Sequence, residues 1–161
     1  MGNGVPVAAI ALGEKAVEGW RQGGISQAGT YSGNGIAAAA AAATIDRLSD
    51  GEAYAALEKT GTRMMEGLAK VLADRGVAGH VVGHPAMFSL FLAEEPPRDF
   101  RDAVRHDDET YDSVVMKMIP KGVMPCPDAL EPWFLCAAQT GEDADRAVEA
   151  FADSLDEVLG G

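Results

Sequence analysis

Seven consecutive alanines at positions 37–43, between Ile36 and Thr44-Ile45, constrain this chain more than any other feature. Alanine loses no side-chain entropy in a helix and projects one methyl group, so residues 34–48 should form a helix with a flat surface suited to close packing. A flat helix needs something to lie on. Upstream, residues 5–12 read Val-Pro-Val-Ala-Ala-Ile-Ala-Leu, a short apolar run between Gly4 and Gly13 that predicts a buried strand. One such strand exposes two edges, and it cannot cover an alanine helix alone. Residues 1–48 are therefore expected to complete a sheet supplied from outside this chain.

Between strand and helix lies Gln27-Ala28-Gly29-Thr30-Tyr31-Ser32-Gly33-Asn34-Gly35. Glycines let a backbone approach a ligand closely, Thr30 and Ser32 carry hydroxyl donors, and the following helix presents free N–H groups at its positive end. This is the chemistry of an anion cradle, with phosphate the natural guest. The same residues would equally make a glycine-rich turn capped by Ser32 or Asn34.

The formal net charge of −12, from 25 acidic and 13 basic side chains, repels nucleic acid and anionic lipid. Residues 36–45 are too few to span a bilayer, and no basic stretch precedes an apolar one at the N-terminus, which points to the cytoplasm. Cys126 and Cys136 make no disulfide framework, and Cys136 in Trp-Phe-Leu-Cys-Ala-Ala is expected to be buried. His80 and His84 precede Pro85, which argues against a helix that would bring them together, so no metal site is expected.

The remainder begins with an expected capping box, Ser49 to Glu52, opening a long helix. Its stripe runs through Tyr54, Leu57, Gly61, Met64, Leu68 and Val71 to a stop at Gly76. Strands are expected at residues 86–92 and 133–138. A helix over 99–118 should turn Phe100, Val104, Tyr111, Val115 and Met118 inward. Thr140 should cap a last helix carrying Ala144, Val148, Phe151, Leu155 and Val158 on its inner face. Pro125 and Pro127 exclude regular structure through 123–131.

With these segments in order, the chain resembles the C-terminal part of class III aminotransferases, pyridoxal-phosphate enzymes of fold type I, and most of all their glutamate-1-semialdehyde aminomutase branch. Met1-Gly2-Asn3-Gly4-Val5-Pro6-Val7, Gly29-Thr30-Tyr31-Ser32-Gly33-Asn34, Met87-Phe88-Ser89-Leu90-Phe91 and the run from Gly122 through Thr140-Gly141-Glu142-Asp143 carry the resemblance. It implies an α/β fold: part of a large cofactor domain at 1–48, a connecting helix at 49–76, and a small α+β domain at 77–161. It further implies that Gly29 and Thr30 bind the phosphate of pyridoxal 5'-phosphate in a neighbouring subunit. Glu131, in Pro127-Asp128-Ala129-Leu130-Glu131, would stand at the active-site entrance toward an amino acid substrate.

The lysine that holds the cofactor in this family would fall two residues before Met1, and Lys15, Lys59, Lys70, Lys117 and Lys121 lie in unrelated contexts. The chain alone is thus expected to be inactive, working as a homodimer or with the N-terminal portion of the same enzyme. No arginine for a substrate carboxylate occurs at 123–138, which favours the aminomutase branch; Gln139 stands where that branch often has histidine. A non-catalytic dimerisation or regulatory module of the same fold, and an unrelated phosphate-binding α/β protein, remain as alternatives.

Overall fold

A computed structural model describes residues 1–26 and 28–160; Gln27, the first residue of the glycine-rich motif, and Gly161 lie outside them. The chain forms two units, residues 1–51 and residues from Glu52 onward.

The first unit contains α1 (Glu14–Arg21) and α2 (Gly35–Leu48). Residues 5–12 have the expected apolar character but form no strand. A strand exists through hydrogen bonds to a neighbour, and the unit supplies none. Ile10 is 72% exposed, and Trp20 on α1 is 46% exposed. On α2 only Ala37 is buried, while Ile36 and Ile45 are exposed. Ser49 does not open the next helix. It closes α2, its hydroxyl donating to the Asp46 carbonyl at 2.7 Å, and Gly51 at φ +80° then turns the chain off the helical path.

The second unit has a core of its own. It comprises α3 (Glu52–Asp74), β1 (His80–His84), β2 (Met87–Phe91), α4 (Phe100–Ala103), α5 (Asp108–Met118), a 3-10 turn at Ile119–Lys121, β3 (Trp133–Phe134) and α6 (Gly141–Leu159). The sheet is antiparallel in the order β1-β2-β3. Val81 stands opposite Leu90, and Phe88 opposite both Gly83 and Trp133, so Phe88 and Leu90 share the face that points into the core. Leu68 from α3, Val115 and Met118 from α5, and Phe151 and Leu155 from α6 complete that core.

α3 and α6 run in the same direction. Arg63 forks onto the Asp145 carboxylate at 2.6 and 2.7 Å, and further along Arg75 forks onto Asp156 at 2.5 and 2.6 Å. Between these pairs Gly67 faces Val148, where an added Cβ would come within 2.6 Å of a valine methyl. The helix stops at Gly76, φ +64°, as the sequence indicated. The last helix carries the full reciprocal box, Thr140 accepting from the Asp143 N–H and Asp143 from the Thr140 N–H.

Three expectations are corrected. The helix expected over 99–118 is broken at 104–107, because Asp99 and Asp107 each cap a new start; Asp107 accepts from the Thr110 N–H at 3.0 Å. Phe100 and Val104 consequently stay exposed, whereas Tyr111, Val115 and Met118 are buried. The strand expected at 133–138 ends at Phe134. The Gln139 carboxamide oxygen takes the Cys136 N–H at 2.8 Å, bending the chain toward the Thr140 cap and leaving Cys136 exposed rather than buried.

Two measurements follow. A Cβ at Gly61 would come within 1.9 Å of the Pro85 carbonyl oxygen, a clash with backbone that cannot rotate away. Gly61→Ala is therefore expected to destabilise the second unit by about 1–3 kcal/mol despite alanine's better helix propensity, whereas Gly141→Ala, whose nearest neighbour is the Arg63 side chain at 3.6 Å, should change little; thermal melts followed by circular dichroism decide. In the first unit, Ile10, Leu12, Trp20, Ile36 and Ile45 are all exposed. Water contact with apolar surface costs about 25 cal/mol per Å², so light scattering on the isolated chain at micromolar concentration should show association and not a monodisperse monomer.

Candidate functional site

Gly29 to Asn34 fold as two overlapping turns, with the Ser32 N–H donating to the Gly29 carbonyl at 3.0 Å and the Asn34 N–H to the Tyr31 carbonyl at 3.1 Å. Gly33 takes φ +73°, which reverses the chain into α2. Of the two candidate caps it is Asn34 that serves, its side-chain oxygen accepting from the Ala37 N–H at 3.0 Å. That leaves the Gly35 and Ile36 N–H groups at the helix end without intrahelical acceptors. Thr30 is exposed, and its hydroxyl has no partner among the described residues. A Cβ on Gly29 would lie 2.9 Å from the Ser32 hydroxyl oxygen, so a larger residue there would push against that side chain. Two hydroxyls without hydrogen-bond partners among the described residues, backbone donors and a helix N-terminus form a donor set that fits a phosphate.

Glu131 belongs to the second unit. It ends a turn in which Asp128 accepts twice: its side chain from the Leu130 N–H at 2.8 Å and its carbonyl from the Glu131 N–H at 3.0 Å. Ala129 plugs the turn into the core at 1% exposure, while the Glu131 carboxylate is exposed with no cation beside it among the described residues. Beneath this segment is a relay that sequence reading missed. The buried Trp133 Nε1–H donates to the Tyr111 hydroxyl at 2.9 Å, which donates in turn to the Cys126 carbonyl at 3.0 Å. Tyr111 and Trp133 appeared in the sequence only as apolar stripe and strand residues, and nothing in their spacing marks the pairing. A cavity of about 540 Å³ lies alongside, walled by Val123, Met124, Cys126, Trp133, Gln139 and Arg146.

The remaining candidates are accounted for by local contacts. His80 bonds the Glu94 carbonyl and His84 lies 3.7 Å from Glu58, the two at opposite ends of β1 and so roughly 13 Å apart. Among the described residues no group of three or more His, Cys, Asp or Glu side chains is placed to hold a metal. Lys70 pairs with Asp74, and Lys117 and Lys121 share Glu157, holding that carboxylate below its usual range. No helix among the described residues is long and apolar enough to cross a membrane.

This architecture is the C-terminal portion of the pyridoxal-phosphate-dependent transferase fold type I. The sequence pattern described as Aminotransferase class-III matches residues 1–153, and the chain belongs to that family. It is similar to the glutamate-1-semialdehyde 2,1-aminomutases of Desulfitobacterium hafniense, 38% identical over 96% of this chain and 36% of that protein, and of Thermus thermophilus, 35% identical over 96% and 37%. The chain thus spans about a third of the length of the curated relatives it matches. In fold it resembles a glutamate-1-semialdehyde aminomutase from Pseudomonas aeruginosa, with a TM-score of 0.75 at 22% identity over 82% of this chain and 29% of that one. An omega-transaminase from Sphaerobacter thermophilus superimposes with a TM-score of 0.74 at 24% identity, over 84% and 31%.

Burial pushes the Tyr111 hydroxyl up from 10.0 to about 12, the Trp133 N–H opposing the shift only in part. The folded state therefore favours the neutral phenol. Its contribution is fully present below pH 10 and is lost as pH rises through about 12. Alkaline titration of stability should show a decline on the order of 3 kcal/mol across that window, and Tyr111→Phe, lower in stability at neutral pH, should flatten it.

Proposed function

We propose that this chain is the C-terminal portion of a pyridoxal-phosphate-dependent enzyme that transfers amino groups in the manner of the glutamate-1-semialdehyde aminomutases, with Gly29 and Thr30 gripping the cofactor phosphate across a subunit boundary. The observation that carries this reading is the exposed 29–34 loop, where the Thr30 hydroxyl has no partner among the described residues and the Gly35 and Ile36 N–H groups at the start of α2 have no intrahelical acceptors. Sequence similarity along 96% of the chain to enzymes of that name supports it, and it disfavours a non-catalytic dimerisation module.

When bound, pyridoxal phosphate supplies the electron sink on which amino-group chemistry at a substrate carbon depends. The work assigned to this chain's residues is narrower. Thr30 donates one hydrogen bond to a phosphate oxygen, the neighbouring backbone N–H groups and the α2 dipole add to it, and Ser32 stands ready as a second hydroxyl donor. Glu131, exposed at the end of a pinned turn, faces the substrate at the active-site entrance and attracts its ammonium group. None of the five lysines is assigned to the cofactor, so the chain acts only with the rest of such an enzyme, in a homodimer or alongside its N-terminal portion, in the cytoplasm.

In the complete enzyme, Thr30→Ala should weaken cofactor affinity by one charge-assisted hydrogen bond, about 1.5–3 kcal/mol or roughly tenfold to a hundredfold, while Thr30→Ser loses much less. Equilibrium binding of pyridoxal phosphate, measured together with the melting temperature, tests it. An unchanged affinity with a lowered melting temperature would assign Thr30 to turn formation alone and overturn the reading.

A further inference from the structure

The segment from Val123 to Pro132 contains Pro125, Pro127 and Pro132 and lies between the 3-10 turn and β3 without joining the sheet. It is fastened at its start by the Val123 N–H on the Met118 carbonyl at 3.3 Å, and just past its end by the Leu135 N–H on the Ala86 carbonyl at 3.1 Å. Between those points, apart from the β3 pairing with β2, the described tertiary hydrogen bonds are two, and both fall on the Tyr111 hydroxyl oxygen. Their direction is forced: an indole N–H can only donate and a carbonyl can only accept, so the phenol accepts from Trp133 and gives its own proton to Cys126. Tyr111 is 1% exposed, and the edge of the His106 ring is set against it with centroids 6.2 Å apart, so the hydroxyl has little freedom to move. Cys126 and Trp133 bracket the Asp128 turn that ends in Glu131.

We propose that Tyr111 is a positioning residue: by tying Cys126 and Trp133 to helix α5, its hydroxyl holds the segment that presents Glu131 in one arrangement. The consequence for substrate rests on the reading of Glu131 given above, whereas the tether itself does not.

Hydrogen exchange on the whole chain tests the tether. In Tyr111→Phe, which keeps the ring and strands both partners, the Ala129, Leu130 and Glu131 amides should exchange at least tenfold faster while α3 and α6 change less than threefold. Unchanged exchange in the segment, or equal acceleration in α3 and α6, would overturn the proposal. Trp133→Phe leaves the bond to Cys126 in place, so faster exchange should be confined to residues 130–133. If Tyr111→Phe does not fold, this second variant decides, and unaltered exchange there sinks the idea.

In the complete enzyme, Tyr111→Phe should raise KM for the amino acid substrate about tenfold with kcat within threefold. Placed on Glu131→Gln it should add less than twofold, because the carboxylate it positions is gone. Fully multiplicative effects would show that Tyr111 does not act through Glu131 and would overturn that step. If Glu131→Gln leaves KM unchanged while exchange is locally faster, the substrate role of Glu131 falls and the tether stands.

Discussion

The second unit depends on how closely α3 is allowed to approach its neighbours. At Gly61 the absent side chain is replaced by the Pro85 carbonyl, and at Gly67 by the methyls of Val148. Glycine inside a helix costs about 1 kcal/mol relative to alanine, and here the cost is offset by contacts that a Cβ would forbid. With α3 against the β1–β2 turn on one side and α6 on the other, Leu68, Phe88 and Phe151 close over one core. The Arg63–Asp145 and Arg75–Asp156 forks lie near the two ends of this seam; with every side chain except the half-buried Arg75 exposed, they set the register of the parallel helices more than they stabilise them.

The first unit shows the opposite case. Its local signals are obeyed: Asn34 caps, Gly33 turns, and the alanines form a helix. What fails is every element that needs a neighbour. Residues 5–12 have strand composition without strand hydrogen bonds, and of the seven alanines on α2 only Ala37 is buried. A helix satisfies its backbone within itself, a strand does not, and so the helices of this unit form while the strand is missing.

The same distinction explains what was legible in the sequence. The inward stripes of α3 beyond Gly61 and of α6, the Gly76 stop and the Thr140 cap could all be read, because each is governed by residues within one or two helical turns. Errors arose where two local signals competed. Ser49 could open one helix or close another, and Gly51 settled the matter; Asp107 interrupted a periodicity that Phe100 and Val104 seemed to continue. Of the candidate site, the 29–34 loop was marked by its glycines and hydroxyls, and Gly29, Thr30 and Glu131 individually by a family resemblance. The Tyr111–Trp133 pair could not, since 22 residues separate its members and only folding brings them together.

Three prolines at 125, 127 and 132 explain why that pair is needed. Each removes a backbone donor, so the segment cannot be zipped to β2 as β3 is, and its carbonyls must find side-chain partners or water. Cys126 finds the phenol, Ala129 finds the core, and the Asp128 side chain closes the turn on itself. These anchors leave the Glu131 carboxylate as the exposed end of the turn. Sheet pairing would have fixed the segment by its backbone and imposed the alternation of a strand on its side chains. Fastening it by a buried tyrosine instead separates rigidity from regularity, which is the condition for holding a single carboxylate still on an irregular loop.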